Sequence, residues 1–230
     1  PSATTLRGSG MTVPVRPWPE LPATAQLVLY QYVDLPTAHD LERWCQQLAQ
    51  MGYRSVRTTA LGGHHLNAKS ARGFQPVQDL VLLEHTSPRW SAQRATSLSP
   101  SDFAEAALVD AQCFGLGWRL DANAIDDVCR ATPRHRARRH DIQGQLAGYA
   151  LSGRDARQVF LQRLAVHPSE QRQGIARALV DDCLSWAARW RAERVLVNTH
   201  VGNEAALHLY ERAGFHQLAE RLHVFERILA

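Results

Sequence analysis

The pattern of apolar and polar positions is clearest in the second half of the chain. Ser99-Pro100-Ser101-Asp102 has the composition of a helix start: a Ser cap, Pro at the first helical position and an acid three residues after the cap. That helix is predicted to run to about Gln112, and a loop containing Phe114, Gly115, Gly117 and Trp118 follows it. Asp121 then caps a second helix that ends near Arg130. Three extended segments are expected between Arg134 and Val166, with Gly144 and Gly153 marking the turns. Of these, Val159 to Val166 is the most strand-like, and His167-Pro168 closes it because a proline biases its predecessor away from helix. Ile175, Leu179, Cys183 and Trp186 recur at helical spacing, which predicts a long helix from about Ile175 to Arg191. Val195-Leu196-Val197 reads as a buried strand, Asn203 to Ala213 as a short helix stopped by Gly214, and Phe215 to Leu229 as a final strand pair. The order β-α-α-β-β-β-α-β-α-β-β predicts an α/β (α+β) fold, a mixed, mostly antiparallel sheet flanked by helices.

The first half contains a weaker echo of the second. At an offset of 140, Thr59 matches Thr199, Gly62 matches Gly202 and Arg72 matches Arg212; one residue later in register, Gly73-Phe74 matches Gly214-Phe215. Asp40 and Trp44 match Asp182 and Trp186 at an offset of 142. Gln26 to His85 therefore reads as strand, helix, strand, short loop or helix, strand: a truncated, degenerate repeat of the later half. The boundaries this predicts are 1–12 as a disordered lead-in, 13–88 as the degenerate half and 89–230 as the complete unit, with the seam at Thr86 to Pro88.

Composition narrows the setting. The apolar fraction of 45% is ordinary for a globular protein. No apolar run is long enough to span a bilayer, and Pro1 to Gly10 does not read as a secretory leader. Cys45, Cys113, Cys129 and Cys183 are widely spaced with no C-x-x-C, so free thiols in a reducing cytoplasm are expected and no metal is implied. The net charge is +4 and the sequence pI is near 9.2, with Lys69 as the only lysine. The one dense basic run, Arg134 to His140, has no interleaved aromatics for base stacking, so a solvated hairpin is expected rather than a nucleic-acid surface, with an acidic partner or coenzyme phosphates as the alternative.

The chemistry concentrates after the most strand-like segment. Gln171-Arg172-Gln173-Gly174-Ile175-Ala176 places a glycine at the start of a helix, where unpaired N–H groups and the positive dipole end suit a pyrophosphate. Gly174 lets backbone approach phosphate closely, and the small Ala176 leaves room behind it. There is no G-K-[ST] and no G-x-G-x-x-G, so this is neither a Walker loop nor a dinucleotide fingerprint. Arg172 and Arg177 read equally as phosphate partners or as solvated surface charges.

Gln171-x-x-Gly174-x-Ala176, after Leu164-Ala165-Val166-His167-Pro168, resembles the coenzyme A signature of the GNAT superfamily of N-acetyltransferases. Asn203-x-x-Ala206-x-x-x-Tyr210-x-x-x-Gly214-Phe215 resembles the second signature of that family, and the similarity spans about Trp90 to Ala230. The resemblance implies a GNAT-like fold and an acetyl-CoA co-substrate. The N–H groups of Gln171 to Ala176 would hold its pyrophosphate, and Leu164 to Val166 would pair with its pantetheine amides as an added strand does. The N–H of Val166 or a neighbour would polarise the thioester carbonyl. Asn203 would bond the pantetheine arm or the loop that holds it, and Tyr210 would protonate the departing thiolate.

The acceptor side is less defined. At the strand positions where the resemblance implies a carboxylate this chain has Asn198 and Gln162, neither of which takes a proton. His200 and Glu84 are the nearest titratable alternatives, and deprotonation by water is a third. Phe114 and Trp118 would line the acceptor side, or else pack under the helices. Val33 to Thr37 offers acid and proline where phosphates would need glycine, so the first half is expected not to bind coenzyme A and to act as a scaffold or subunit contact. The expected partner is a primary amine, on a small molecule, a protein N-terminus or a lysine. Oligomeric state stays open, a homodimer included, and a catalytically silent acyl-CoA binding module is the competing expectation.

Overall fold

Local capping chemistry starts the helices. Thr37 Oγ1 accepts the Asp40 N–H at 3.1 Å while the Asp40 carboxylate accepts the Thr37 N–H at 3.2 Å, which begins α1 (Ala38–Gln50). The same exchange joins Ser99 and Asp102 ahead of α2 (Phe103–Cys113), through a 3-10 turn with Pro100 at its first position. Asp121 accepts the Ala124 N–H at 2.8 Å and starts α3 (Ala122–Arg130). The computed structural model describes residues 4–8, 10–18, 21–29, 36–62, 73–91 and 95–229. The expectations for Val33 to Leu35 and for Arg72 lie outside them.

The chain forms two units, Pro1–Val81 with Ala219–Ala230, and Leu82–Leu218. In the first, β1 (Thr4–Gly8), β2 (Met11–Trp18) and β3 (Leu21–Leu27) are antiparallel neighbours. After α1, β4 (Ser55–Thr58) returns parallel to β3, with Thr24 opposite Ser55. The short β5 (Leu61–Gly62), the first part of β6 (Gln75–His85) and the end of the last strand, β12 (His216–Ile228), complete the sheet. Trp44, Leu48, Leu27 and Val56 are among its fully enclosed core residues. The expected lead-in 1–12 is corrected here: Thr4–Gly8 and Met11 onward are strands, because Leu6 and Val13 bury themselves in this core and the Trp44 indole N–H donates to the Arg7 carbonyl at 3.0 Å.

In the second unit β7 (Thr96–Ser97), β8 (Arg134–Ile142), β9 (Gln145–Arg154) and β10 (Gln158–Val166) are antiparallel in that order. The helix α4 (Ile175–Arg189) then leads to β11 (Arg194–His200), which lies parallel to β10, and α5 (Glu204–Arg212) follows. The core beneath α2 and α3 contains Phe103, Ala106, Ile125, Tyr149 and Leu151.

Three expectations change. Phe215 to Leu229 holds one continuous strand, β12, not a pair, since nothing between His216 and Ile228 breaks the extended run. Gly153 does not mark a turn; it lies inside β9, where a Cβ would meet Thr132 and, at 2.7 Å, Gln162 Oε1. The turn is made by Asp155, which accepts the N–H groups of Arg157 at 2.8 Å and Gln158 at 2.9 Å. The basic run is β8, the first strand of a hairpin with β9, but it is not simply solvated: Arg136 is bidentate on Asp182 at 2.6 and 2.9 Å. Asp182 is buried on α4, so two arginines of the run, Arg136 and Arg138, serve as counter-ions to the interior.

Candidate functional site

The parallel pairing of β10 with β11 covers Gln158 to Leu161 against Arg194 to Val197 and goes no further, while β10 continues along β9 to Val166. The two strands therefore part after Leu161. The His167 N–H donates to the Ala147 carbonyl at 2.8 Å, so by antiparallel alternation Ala165 also bonds towards β9. Leu164 and Val166 accordingly turn their N–H and C=O groups to the open side. The Val166 carbonyl accepts there from Gln171 Nε2 and Cys113 Sγ, each at 3.2 Å.

The loop beyond β10 has two left-handed residues, Arg172 (φ 63°) and Gly174 (φ 84°). The first intrahelical bond of α4 is Ala178 N–H to Gly174 O, at 2.9 Å. Nothing among the described residues accepts from the N–H groups of Ile175, Ala176 or Arg177. These donors and the open edge of β10 face one cleft of about 570 Å³. Its wall includes Leu164, Val166, Gln171, Arg172, Gly174 and Ile175, together with Ala176, Arg177 and Ala206. An anion bound at the loop would meet unpaired backbone donors at a helix N-terminus, and an extended amide chain would meet the free strand edge.

Other expected residues lie apart from that wall. Ala165 is buried beneath α2, on the opposite face of β10. Gln173 donates to Glu170 at 2.9 Å. Asn203 caps α5 by accepting the Ala206 N–H at 3.2 Å and donates to Thr199 at 3.1 Å. Tyr210 is 5% exposed and packs on Phe215 at 5.7 Å between ring centroids. Burial pushes its phenol far above the ordinary range, and the neighbouring Cys183 adds to that shift. The composition of α5 alone did not single out Ala205, His208, Leu209 and Arg212, which also face the cleft. Their helical spacing places them on one face and was the available signal.

Phe114 and Trp118 belong to a separate group. Asp110, fully buried on α2, accepts from Arg163 at 2.6 and 2.7 Å, from the Tyr149 hydroxyl at 2.5 Å and from the Leu120 N–H at 2.7 Å. Arg163 also donates to the Trp118 carbonyl at 2.8 Å and lies over the Phe114 ring, 3.3 Å from its centroid. The loop after α2 is thus fastened to β10 through one buried ion pair. Burial, then the Asp110 charge, push the Tyr149 phenol up, so it stays a donor.

The titratable alternatives for a base are engaged elsewhere. Glu84 pairs with Arg194 at 3.4 Å and His216 at 3.1 Å. His200 is exposed and its Nδ1 accepts the Gly202 N–H at 3.1 Å. Asn198 is exposed on β11, and Gln162 Oε1 is buried without a partner beside Gly153. Among the described residues no group of three or more His, Cys, Asp or Glu could hold a metal, and no helix is long and apolar enough to cross a membrane.

The sequence matches the acetyltransferase (GNAT) family over residues 107–215. An uncharacterized N-acetyltransferase of Mycobacterium tuberculosis (strain H37Rv) is 38% identical over 78 residues, 34% of this chain and 49% of that protein. The chain thus spans about half the length of the curated relatives it matches. Two solved structures share the fold along almost the whole chain. A GCN5-related N-acetyltransferase from Kribbella flavida has a TM-score of 0.62 at 14% identity, covering 97% of this chain and 89% of its own. A tandem GNAT protein from the clavulanic acid biosynthesis pathway has a TM-score of 0.63 at 14% identity, covering 97% and 81%.

Proposed function

We propose that this chain, whose residues 107–215 match the acetyltransferase (GNAT) family, is an acetyl-CoA dependent N-acetyltransferase that passes the acetyl group directly to a primary amine. The acceptor is a small molecule, a protein N-terminus or a lysine. The observation that carries this reading is the meeting, in one cleft, of a strand edge at Leu164 and Val166, which no neighbouring strand pairs, with unpaired helix N–H groups at Ile175 to Arg177. Pantetheine amides suit the former and a pyrophosphate the latter.

In this reading the neutral amine attacks the thioester carbonyl, the C–N bond forms and the C–S bond breaks. The Val166 N–H faces the developing oxyanion, and Tyr210 donates a proton to the thiolate. No side chain of the chain is assigned as base: Gln162 and Asn198 accept hydrogen bonds but no proton, so water takes the amine's proton. A second reading, a silent acyl-CoA binding module, draws support from Tyr210. Its raised phenol is a weaker acid than a thiol, and it is absent from the cleft wall.

Incubation with acetyl-CoA and a panel of amines, followed by free thiol release, separates the readings. Turnover on any amine class supports the enzyme, and binding without turnover supports the module. Titration calorimetry showing no coenzyme A binding would remove both.

We read the first unit as a degenerate copy that lost the phosphate loop. Both units contain a strand, a helix and a parallel strand, and the matched pairs Asp40/Asp182 and Trp44/Trp186 are all buried. Four free cysteines support a reducing cytoplasm as the compartment.

A further inference from the structure

The two units treat one strand opening in opposite ways. In the first, the Thr59 N–H donates to the Leu27 carbonyl at 3.2 Å, and the next rung of a parallel ladder would join the Leu29 N–H to the Thr59 carbonyl. The Thr59 side chain makes that rung instead. Its hydroxyl accepts the Leu29 N–H at 3.1 Å and donates to the Leu29 carbonyl at 2.5 Å. One side chain thus closes the edge where β3 runs past its pairing with β4. The offset of 140 matches Arg57 to Val197 and Thr59 to Thr199. Arg57 pairs with Gln26 and Val197 with Leu161, and three residues beyond these partners stand Leu29 and Leu164. Leu29 is therefore the counterpart of Leu164, whose backbone groups face the open cleft of the second unit.

Thr199 is held elsewhere. Its hydroxyl oxygen accepts from Asn203 Nδ2 at 3.1 Å. Asn203 is itself fixed, because its Oδ1 accepts the Ala206 N–H at 3.2 Å and starts α5. The asparagine therefore ties Thr199 to a helix start, where the matching threonine of the first unit is bonded across to the neighbouring strand. In sequence, the counterpart of Asn203 at the same offset is Gly63, which has no side chain to hold a threonine. We propose that Asn203 is a positioning residue that keeps the pantetheine opening available: by holding the Thr199 hydroxyl it prevents on Leu164 the closure that Thr59 makes on Leu29. This rests on the acyl-CoA reading of the cleft at Leu164 and Val166.

Titration calorimetry with coenzyme A on variants of the full chain tests it. Asn203→Gly installs the residue of the first unit, and glycine is a tolerated helix cap. It should bind coenzyme A about tenfold more weakly, the size of one or two closing hydrogen bonds. Thr199→Val removes the hydroxyl and keeps the shape of the side chain, so it should bind like the unaltered chain. The double variant should regain the affinity that Asn203→Gly loses. Unchanged affinity of Asn203→Gly overturns the proposal. Equal losses in the two single variants overturn it as well, because the pair is then a turn staple and nothing more. So does a double variant as weak as Asn203→Gly, which gives Asn203 a direct contact with the ligand. Amide hydrogen exchange without ligand supplies a second readout: the Leu164 N–H should exchange about tenfold more slowly in Asn203→Gly, and the Leu29 N–H faster in Thr59→Val. If no chain binds coenzyme A, the acyl-CoA reading falls, and a Leu164 N–H unaffected by Asn203→Gly still overturns the positioning role.

Discussion

Asp110→Asn is the sharpest single perturbation of the second unit. The substitution keeps the shape of the side chain and removes its charge. Asp110 is fully buried and accepts four hydrogen bonds: two from Arg163, one from the Tyr149 hydroxyl and one from the Leu120 N–H. An amide has one acceptor oxygen and two donor hydrogens, so it cannot meet those four donors. The Arg163 side chain, 14% exposed, is left as a nearly buried cation without its counter-ion. Breaking one side of such a pair costs about 3–5 kcal/mol, which for a protein of this size is a fall in Tm of about 10 °C.

Urea unfolding followed by tryptophan fluorescence measures the effect, since Trp118 lies in the loop that the pair fastens. Tyr149→Phe removes one hydrogen bond to a charged acceptor and should cost about 1.5–3 kcal/mol. Arg163→Met should cost clearly less in the Asp110→Asn background than in the original chain, because there the cation is already orphaned. A loss below about 1 kcal/mol for Asp110→Asn, or strict additivity of the two substitutions, would refute the account. A functional consequence follows from the same geometry. Freeing Phe114 and Trp118 should raise the KM for the amine while the affinity for coenzyme A holds.

Three further outcomes are expected. Gly174→Ala should lower stability by about 1–2 kcal/mol, since its φ of 84° is left-handed, although a Cβ there meets nothing within 4 Å. The added methyl enters open space at the helix start, so calorimetry should show at least tenfold weaker coenzyme A binding; unchanged affinity would move the phosphate elsewhere. Tyr210→Phe should slow thiol release about a hundredfold with little change in coenzyme A affinity, and full turnover would remove its role as acid. Burial raises the Cys113 thiol to about 11, with Asp110 adding to the shift. At pH 8 the native chain should therefore react with a thiol reagent about a hundredfold slower there than after unfolding; a fast-reacting Cys113 would contradict its burial.

What the sequence made legible is what depends on neighbours in the chain. The caps at Ser99 and Asp121 are three-residue events, and the glycine loop is six residues long. The lead-in looks disordered in sequence because its apolar residues are few, yet Leu6, Val13 and Val15 are buried, and only a sheet partner shows that they are enough. The ion pairs were invisible for a different reason. Asp110 meets Arg163 and Asp182 meets Arg136 across long stretches of chain. One trace was present: Asp110 continues the buried spacing of Phe103 and Ala106, and Asp182 falls among Leu179, Cys183 and Trp186. An acid on the buried stripe of a helix requires a cation from elsewhere, and β8 and β10 supply the arginines.

The irregularity of β10 connects both sides of the site. Its register against β9 shifts between Leu161 and Arg163, so Gln162 is an extra residue in the strand. Pairing with β11 stops at Leu161, immediately before the shift. Beyond it, Arg163 reaches Asp110 under the loop of Phe114 and Trp118, while Gln162 Oε1 lies against Gly153. Two successive side chains are thus turned to the layer of α2 and α3, which strict alternation would forbid. The same displacement bends β10 away from β11 and leaves Leu164 and Val166 without a strand partner on that side. The opening that suits a pantetheine chain and the anchorage of the aromatic loop are therefore two effects of one inserted residue. It follows that Gln162 matters here less as a replacement for a carboxylate than as the residue whose insertion opens the strand.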